Sequence, residues 1–282
     1  MRPCNCINIS LSMTRSLLSV VVALLVGFAL PAKGQVQFQI TIEPLPVEFA
    51  RLEPTIRNHL LIAAQMWAQH VNTTNCTIAI VFRLQKWPAR GFGRSLYNVP
   101  IKGEKHNGKF VTEEGLPHKL RTGEARRDTG PDVEIQFDPD YFKTLWFDPD
   151  PRTRNAPVPR DKLDALSIFL HELGHAMGFN GFMNPSTGAF SGEYISMYDQ
   201  WVIRNGAEYF FNGPAAVKLY GRPIPLARRN NNYHHLGDNV PGTDPRLRYD
   251  LMTGWFMEYG RRYTISALDM AILEDCGLPV KR

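Results

Sequence analysis

Residues 163–179 read LDALSIFLHELGHAMGF and constrain this chain more than any other stretch. Leu163, Leu166, Ile168, Phe169 and Leu170 form an apolar run, as in a helix buried through the centre of a domain. Asp161 and Asp164 are candidate N-terminal caps, and Gly178 sits where a helix ends in a left-handed turn. The spacing predicts a helix over 161–177. Into that apolar helix the sequence inserts His171, Glu172 and His175. The two histidines are one turn apart and leave the same face. Imidazoles so placed can share one Zn²⁺ at about 2.0–2.1 Å, and Glu172 can reach a metal-bound water without ligating the metal. Zinc lowers the pKa of its water towards about 7, and the carboxylate takes the proton. The pattern points to a zinc hydrolase rather than to a surface helix that happens to carry two histidines.

The N-terminus is read apart from that domain. Residues 17–30 (LLSVVVALLVGFAL) are fourteen apolar residues preceded by Arg15. Such a run is short for a membrane span and fits a signal-peptide core, with an uncleaved anchor as the alternative. Small residues at Ala32 and Gly34 place cleavage after Gly34, leaving a domain at 35–282 in a secreted (extracellular or periplasmic) protein. Met13 is an alternative start, which would remove Cys4 and Cys6. The whole chain carries a net charge of +5; without residues 1–34 it loses Arg2, Arg15 and Lys33 and no acid, leaving +2. That balance calls for neither nucleic acid nor an anionic membrane. Cys76 and Cys276 remain, as a disulfide or as two free thiols. The sequence leaves the oligomeric state open.

Along the domain, residues 36–42 alternate as a half-buried strand. Ile56, Leu60, Ala63, Ala64, Trp67 and Val71 make a helical stripe after Pro54. Residues 76–84 and 132–137 read as strands. Residues 88–130 read as loops with one short strand, and His106 and His118 there as surface histidines. The Asp-Pro turns at 138–140 and 148–151 read as turn chemistry, with calcium binding as the rival. Residues 198–211 suggest a hairpin about Asn205-Gly206, and 265–274 a last helix between Ser266 and Gly277. The fold class is α+β: an N-terminal mixed sheet with an active-site helix, then an irregular C-terminal half ending in a helix. The strand at 132–137 is a candidate edge for binding an extended peptide.

A catalytic zinc site needs a third protein ligand. His171 to Phe179 resembles the metzincin zinc endopeptidases, whose contiguous pattern is H-E-x-x-H-x-x-G-x-x-H. The third position here is Gly181, which cannot ligate. The chain is more similar to leishmanolysin-like metalloproteases, in which an insertion separates H-E-x-x-H-x-x-G-F from the last histidine and a methionine turn follows. His234-His235-Leu236-Gly237 and Asp250-Leu251-Met252-Thr253 keep that order. The resemblance implies a metzincin-like zincin fold and a secreted endopeptidase, whose partner is a protein or peptide substrate. It implies His171, His175 and one of His234 or His235 as zinc ligands, Glu172 as general base and Met252 as the floor of the site. His235 is favoured because Leu236-Gly237 follows it. The chain departs from that family in having few cysteines and little room for a pro-segment. It also carries Gly254 where several metzincins have a tyrosine. A rival third ligand is Glu193, eighteen residues beyond His175 as in thermolysin-like enzymes. The alternative from another class is an exported binding or adhesion protein with a structural or vestigial zinc site.

Overall fold

The computed structural model describes residues 36–73, 75–124, 130–184, 187–190, 192–227, 233–237 and 244–281. The leader read at 1–34 lies outside the described residues. No helix among them is long and apolar enough to cross a membrane.

Strand β1 (Val36–Ile42) leads through a 3₁₀ turn into helix α1 (Glu53–Gln69), with Pro54 in its first turn, where no amide donor is needed. Strand β2 (Cys76–Leu84) returns parallel to β1. Then come β3 (Gly91–Ser95), β4 (Asn98–His106), β5 (Lys109–Glu114), helix α2 (Gly115–Thr122) and β6 (Val133–Phe137). The main sheet has the order β1-β2-β6-β3, with β6 parallel to β2 and β3 antiparallel to β6. It is a mixed sheet, in a protein of mixed α and β structure with several smaller sheets.

Two expectations are corrected. Residues 88–130 hold three strands and a helix rather than loops with one short strand. The overlooked signal is Asn107-Gly108, a two-residue turn with φ of 49° and 80° that joins β4 to β5. Its flanking strands are rich in Lys and Glu, which masks the apolar period. Second, β6 is not an edge: β2 and β3 flank it. The edge strands are β1 and β3. The Leu96 N–H donates to Asp132 and the Asp138 N–H to the Arg90 carbonyl. By antiparallel alternation the even-numbered residues therefore face β6, and Gly91 and Gly93 turn their backbone groups outward.

One sheet face is apolar. Phe82 and Phe137 meet Phe142 and Phe169 with ring centroids 5.8–6.1 Å apart. Each such ring contributes about 1.5–3 kcal/mol through burial. On the other face Arg83 and Arg94 close over the buried Glu134. Beyond the sheet lie the short helix α3 (Pro139–Phe142), strands β7 (Leu145–Trp146) and β8 (Leu163–Asp164), and the central helix α4 (Ala165–Ala176). Asp138 caps α3 by accepting from the Asp140 N–H at 2.8 Å, and Asp148 accepts from the Asp150 N–H at 2.9 Å. Helix α4 starts later than the predicted 161 because Asp164, not Asp161, is its cap.

The C-terminal half carries β9 (Met183–Asn184), β10 (Ala189–Phe190), β11 (Tyr194–Ser196), β12 (Val202–Asn205), β13 (Glu208–Phe211), helix α5 (Pro214–Tyr220), β14 (Ile224–Pro225) and helix α6 (Ala267–Asp275). Strands β12 and β13 form the hairpin about Gly206, with β12 starting at Val202 rather than 198. Cys76 and Cys276 are free thiols.

Ser266 caps α6 reciprocally. The Asp269 N–H donates to Ser266 Oγ at 3.0 Å, and the Ser266 N–H donates to Asp269 Oδ2 at 2.8 Å. Asp269 is fully buried; burial first, then Asp250, holds its carboxyl well above the ordinary 3.8. The folded state thus keeps a proton there that the unfolded chain sheds above about pH 4, so this site's contribution to stability falls as pH rises from that value. Asp269→Asn keeps the accepting oxygen and removes the titrating proton. Thermal unfolding is expected to show the variant gaining on wild type as pH rises from about 4, with the gap closing towards pH 4. Parallel curves over that range would contradict it.

Candidate metal centre

Helix α4 is anchored at both ends. At its start Asp164 accepts from the Ser167 N–H at 3.1 Å and from Ser167 Oγ at 2.6 Å, while Arg154 pairs with it at 2.8 Å. At its middle the Trp67 indole N–H from α1 donates to the Leu170 carbonyl at 3.0 Å. At its end Gly178 takes φ 111°, and the Phe179 N–H reaches back to Gly174 O at 3.2 Å, a Schellman-type stop. That turn brings the Phe179 carbonyl beneath the helix, 2.8 Å from His175 Nδ1. The sequence Gly178-Phe179 therefore orients an imidazole as well as ending a helix.

His171 is oriented from the other side. Its Nδ1 lies 2.7 Å from the Leu251 carbonyl. A carbonyl only accepts, so both Nδ1 atoms carry the proton and both Nε2 atoms are bare acceptors. The turn Asp250–Thr253 that supplies Leu251 puts Met252 under α4, fully buried. Gly174, between the two histidines, makes room for it: a Cβ there would lie 2.5 Å from the Met252 sulfur. The same turn holds His235. The Leu236 N–H donates to Met252 O, and the Gly254 N–H donates to Leu236 O, each at 2.7 Å.

The outcome is a triangle of nitrogens. His235 Nε2 is 3.1 Å from both His171 Nε2 and His175 Nε2, which are 3.2 Å apart. Among the described residues these three form the single cluster of side chains able to hold a metal ion. Two nitrogens in a tetrahedral shell with 2.0–2.1 Å bonds stand about 3.3 Å apart, so the donor set fits a small divalent ion. Burial lowers the pKa of His171 and takes that of His175 well below the ordinary 6.5, leaving the rings neutral, the form in which imidazole can ligate. His234 stays outside the triangle, with its ring centroid 5.3 Å from that of His175. Burial, then His171, pushes its pKa down to about 4.

Glu193, the rival ligand, is exposed beside β11, and its carbonyl accepts from the Phe110 N–H. At Gly181, the third position of a contiguous motif, a side chain would run into the Tyr233 hydroxyl and the Asp199 carboxylate. At Gly254 a Cβ would stand 2.5 Å from the Gly237 carbonyl and 2.6 Å from Ala227, which leaves no place for a tyrosine.

Glu172 is 9 % exposed and faces a cleft of about 830 Å³ with the three histidines. Burial pushes its carboxyl up to about 8, and the Gly93 N–H works against that shift. A dication beside it would also favour the charged form. Strand β3 forms one lip of the cleft and the residues after Met252, Thr253 to Met257, the other. The part of β3 and the segment 255–257 in this cleft went unread in the sequence; a Gly-x-Gly strand edge was the available signal. No protein-family model, curated protein or solved structure matches the chain.

The glycines test this packing. A Cβ at Gly93 would run into the backbone carbonyl of Glu172, which cannot yield without moving α4. At Gly174 the obstacle is the end of a methionine side chain. Gly93→Ala is expected to cost about 3 kcal/mol or more in denaturant unfolding and Gly174→Ala about 1–2 kcal/mol. Equal costs would contradict the account.

Proposed function

We propose that the protein is an exported zinc-dependent endopeptidase of the metzincin kind, with His171, His175 and His235 as ligands and Glu172 as general base. The observation that carries the reading is a buried carboxylate next to a three-imidazole triangle at the floor of an open cleft. Structural zinc sites are closed by four protein ligands, whereas catalytic ones keep a position open. Among the described residues no fourth ligand joins the three.

Zinc bound there would supply a Lewis acid and lower the pKa of a water it ligates. The rest falls to the chain. Glu172 takes a proton from the attacking water and delivers it to the leaving amine nitrogen. Its burial keeps the carboxylate basic enough to do so near neutral pH, and the Gly93 N–H holds it in place. Gly91 on the free edge of β3 offers its backbone groups to an extended peptide, which would add as an antiparallel strand across the cleft. The bare glycines let that peptide lie close.

Casein or quenched-peptide hydrolysis by residues 35–282, measured with zinc content, tests the reading. Wild type is expected to hold one zinc and to cleave. Glu172→Gln should keep the zinc and lose at least about 100-fold in rate, the scale of general-base catalysis. His235→Ala should lose the zinc, and His234→Ala should retain it. Full zinc with no hydrolysis of any peptide, unchanged by Glu172→Gln, would favour an exported binding protein instead.

A further inference from the structure

We propose that Arg90 gives the cleft a preference for ligands bearing a carboxylate, either an Asp or Glu side chain or a peptide's C-terminus. The inference deepens the peptidase reading, and rests on it for the assumption that an extended peptide lies along β3.

The charged side chains lining the cleft are Arg90, Arg94 and Glu172. Glu172 is the proposed base. Arg94 is already committed, its Nε and a terminal nitrogen lying 2.8 and 2.6 Å from Glu134 Oε2. Arg90 is different. It is exposed and forms no ion pair among the described residues. Two aromatic rings hold it instead: its guanidinium carbon is 4.0 Å from the Phe256 centroid and 5.6 Å from that of Tyr141. Phe256 is itself 66 % exposed, a large apolar ring left at the lip of the cleft.

That mounting has a chemical consequence. Held by rings, the guanidinium spends no N–H on a carboxylate or carbonyl among the described residues, which leaves its donors for a carboxylate, whose geometry their fork matches. The rings also restrict the side chain, so less freedom is lost on binding. The backbone is fixed as well, because the Arg90 carbonyl accepts from the Asp138 N–H at 3.0 Å. Arg90 directly precedes Gly91, the first outward-facing residue of the free edge. A peptide added along β3 must pass beside it. No acidic side chain other than Glu172 lines the cleft to compete for the guanidinium.

Binding separates this inference from the peptidase reading. Zinc-loaded Glu172→Gln protein would be titrated with fluorescent octapeptides carrying Glu, Gln or Lys at each position in turn. The Gln series would be made both as free acid and as C-terminal amide. At low salt, Glu over Gln at one or two positions, or acid over amide, is expected to tighten Kd about three- to fivefold, the scale of a partly exposed ion pair. Adding Arg90→Ala should bring the ratio to about one, and Arg90→Glu should reverse it in favour of Lys, with unchanged thermal unfolding as the control for folding. A side-chain effect without a terminal effect, or the converse, identifies the source of the carboxylate. Equal Kd values throughout, or a preference that survives Arg90→Ala, would overturn the proposal. If wild type cleaves none of these peptides, the peptidase reading fails, while the Kd ratios still decide the role of Arg90.

Discussion

Two bare imidazole nitrogens 3.2 Å apart in a buried site repel one another, and a cation between them would relieve that repulsion. His171 and His175 have each committed their Nδ1 proton to a backbone carbonyl, so neither can relieve the conflict by donating to the other. His235 brings a third nitrogen to the same point. Protonating a ring would supply charge, but burial works against the charged form. A divalent ion would remove the conflict, and much of the surrounding structure serves to hold the three rings where such an ion would need them.

The holding is done mostly by backbone. Phe179 O and Leu251 O set the first two rings, and the short ladder from Leu236 to the Met252 turn sets the third. Each device needs a small residue. Gly178 turns the chain after α4, Gly174 lets Met252 beneath it, Gly93 lets β3 lie against Glu172, and Gly254 lets the turn approach Gly237. Residues 171 and 252 are far apart in sequence, so the ligand set exists only once both halves have folded against α4. Metal binding and folding would then be linked, as expected where a site does not preform in the unfolded chain.

What the sequence made legible follows from this division. Helix α4 was readable because its apolar run, Asp164 and Gly178 are local signals, and β1, β2, β6 and α6 were readable from alternation or capping. His171, Glu172 and His175 came with the helix. His235 was different: nothing local distinguishes it from His234, and resemblance alone favoured it. What puts its Nε2 in the triangle is the pairing of Leu236 with the Met252 turn, a long-range contact without a sequence period. The hairpin at Asn107-Gly108 was legible in principle but hidden by charged flanking residues. The sheet edge was misassigned because chain order does not fix strand order: β3 comes before β6 in sequence yet lies outside it. Arg90 had no readable role, since its surroundings, Tyr141 and Phe256, come from distant segments.

The cleft thus combines a metal-ready triangle, a buried carboxylate and a glycine-edged strand, and the first of these carries the other two. X-ray absorption at the zinc edge of the purified, zinc-loaded protein tests it most directly. Four light scatterers at about 2.0–2.1 Å are expected, with the outer-shell pattern of three imidazoles. A sulfur at about 2.3 Å, fewer than three imidazoles, or failure to retain zinc at all would contradict it.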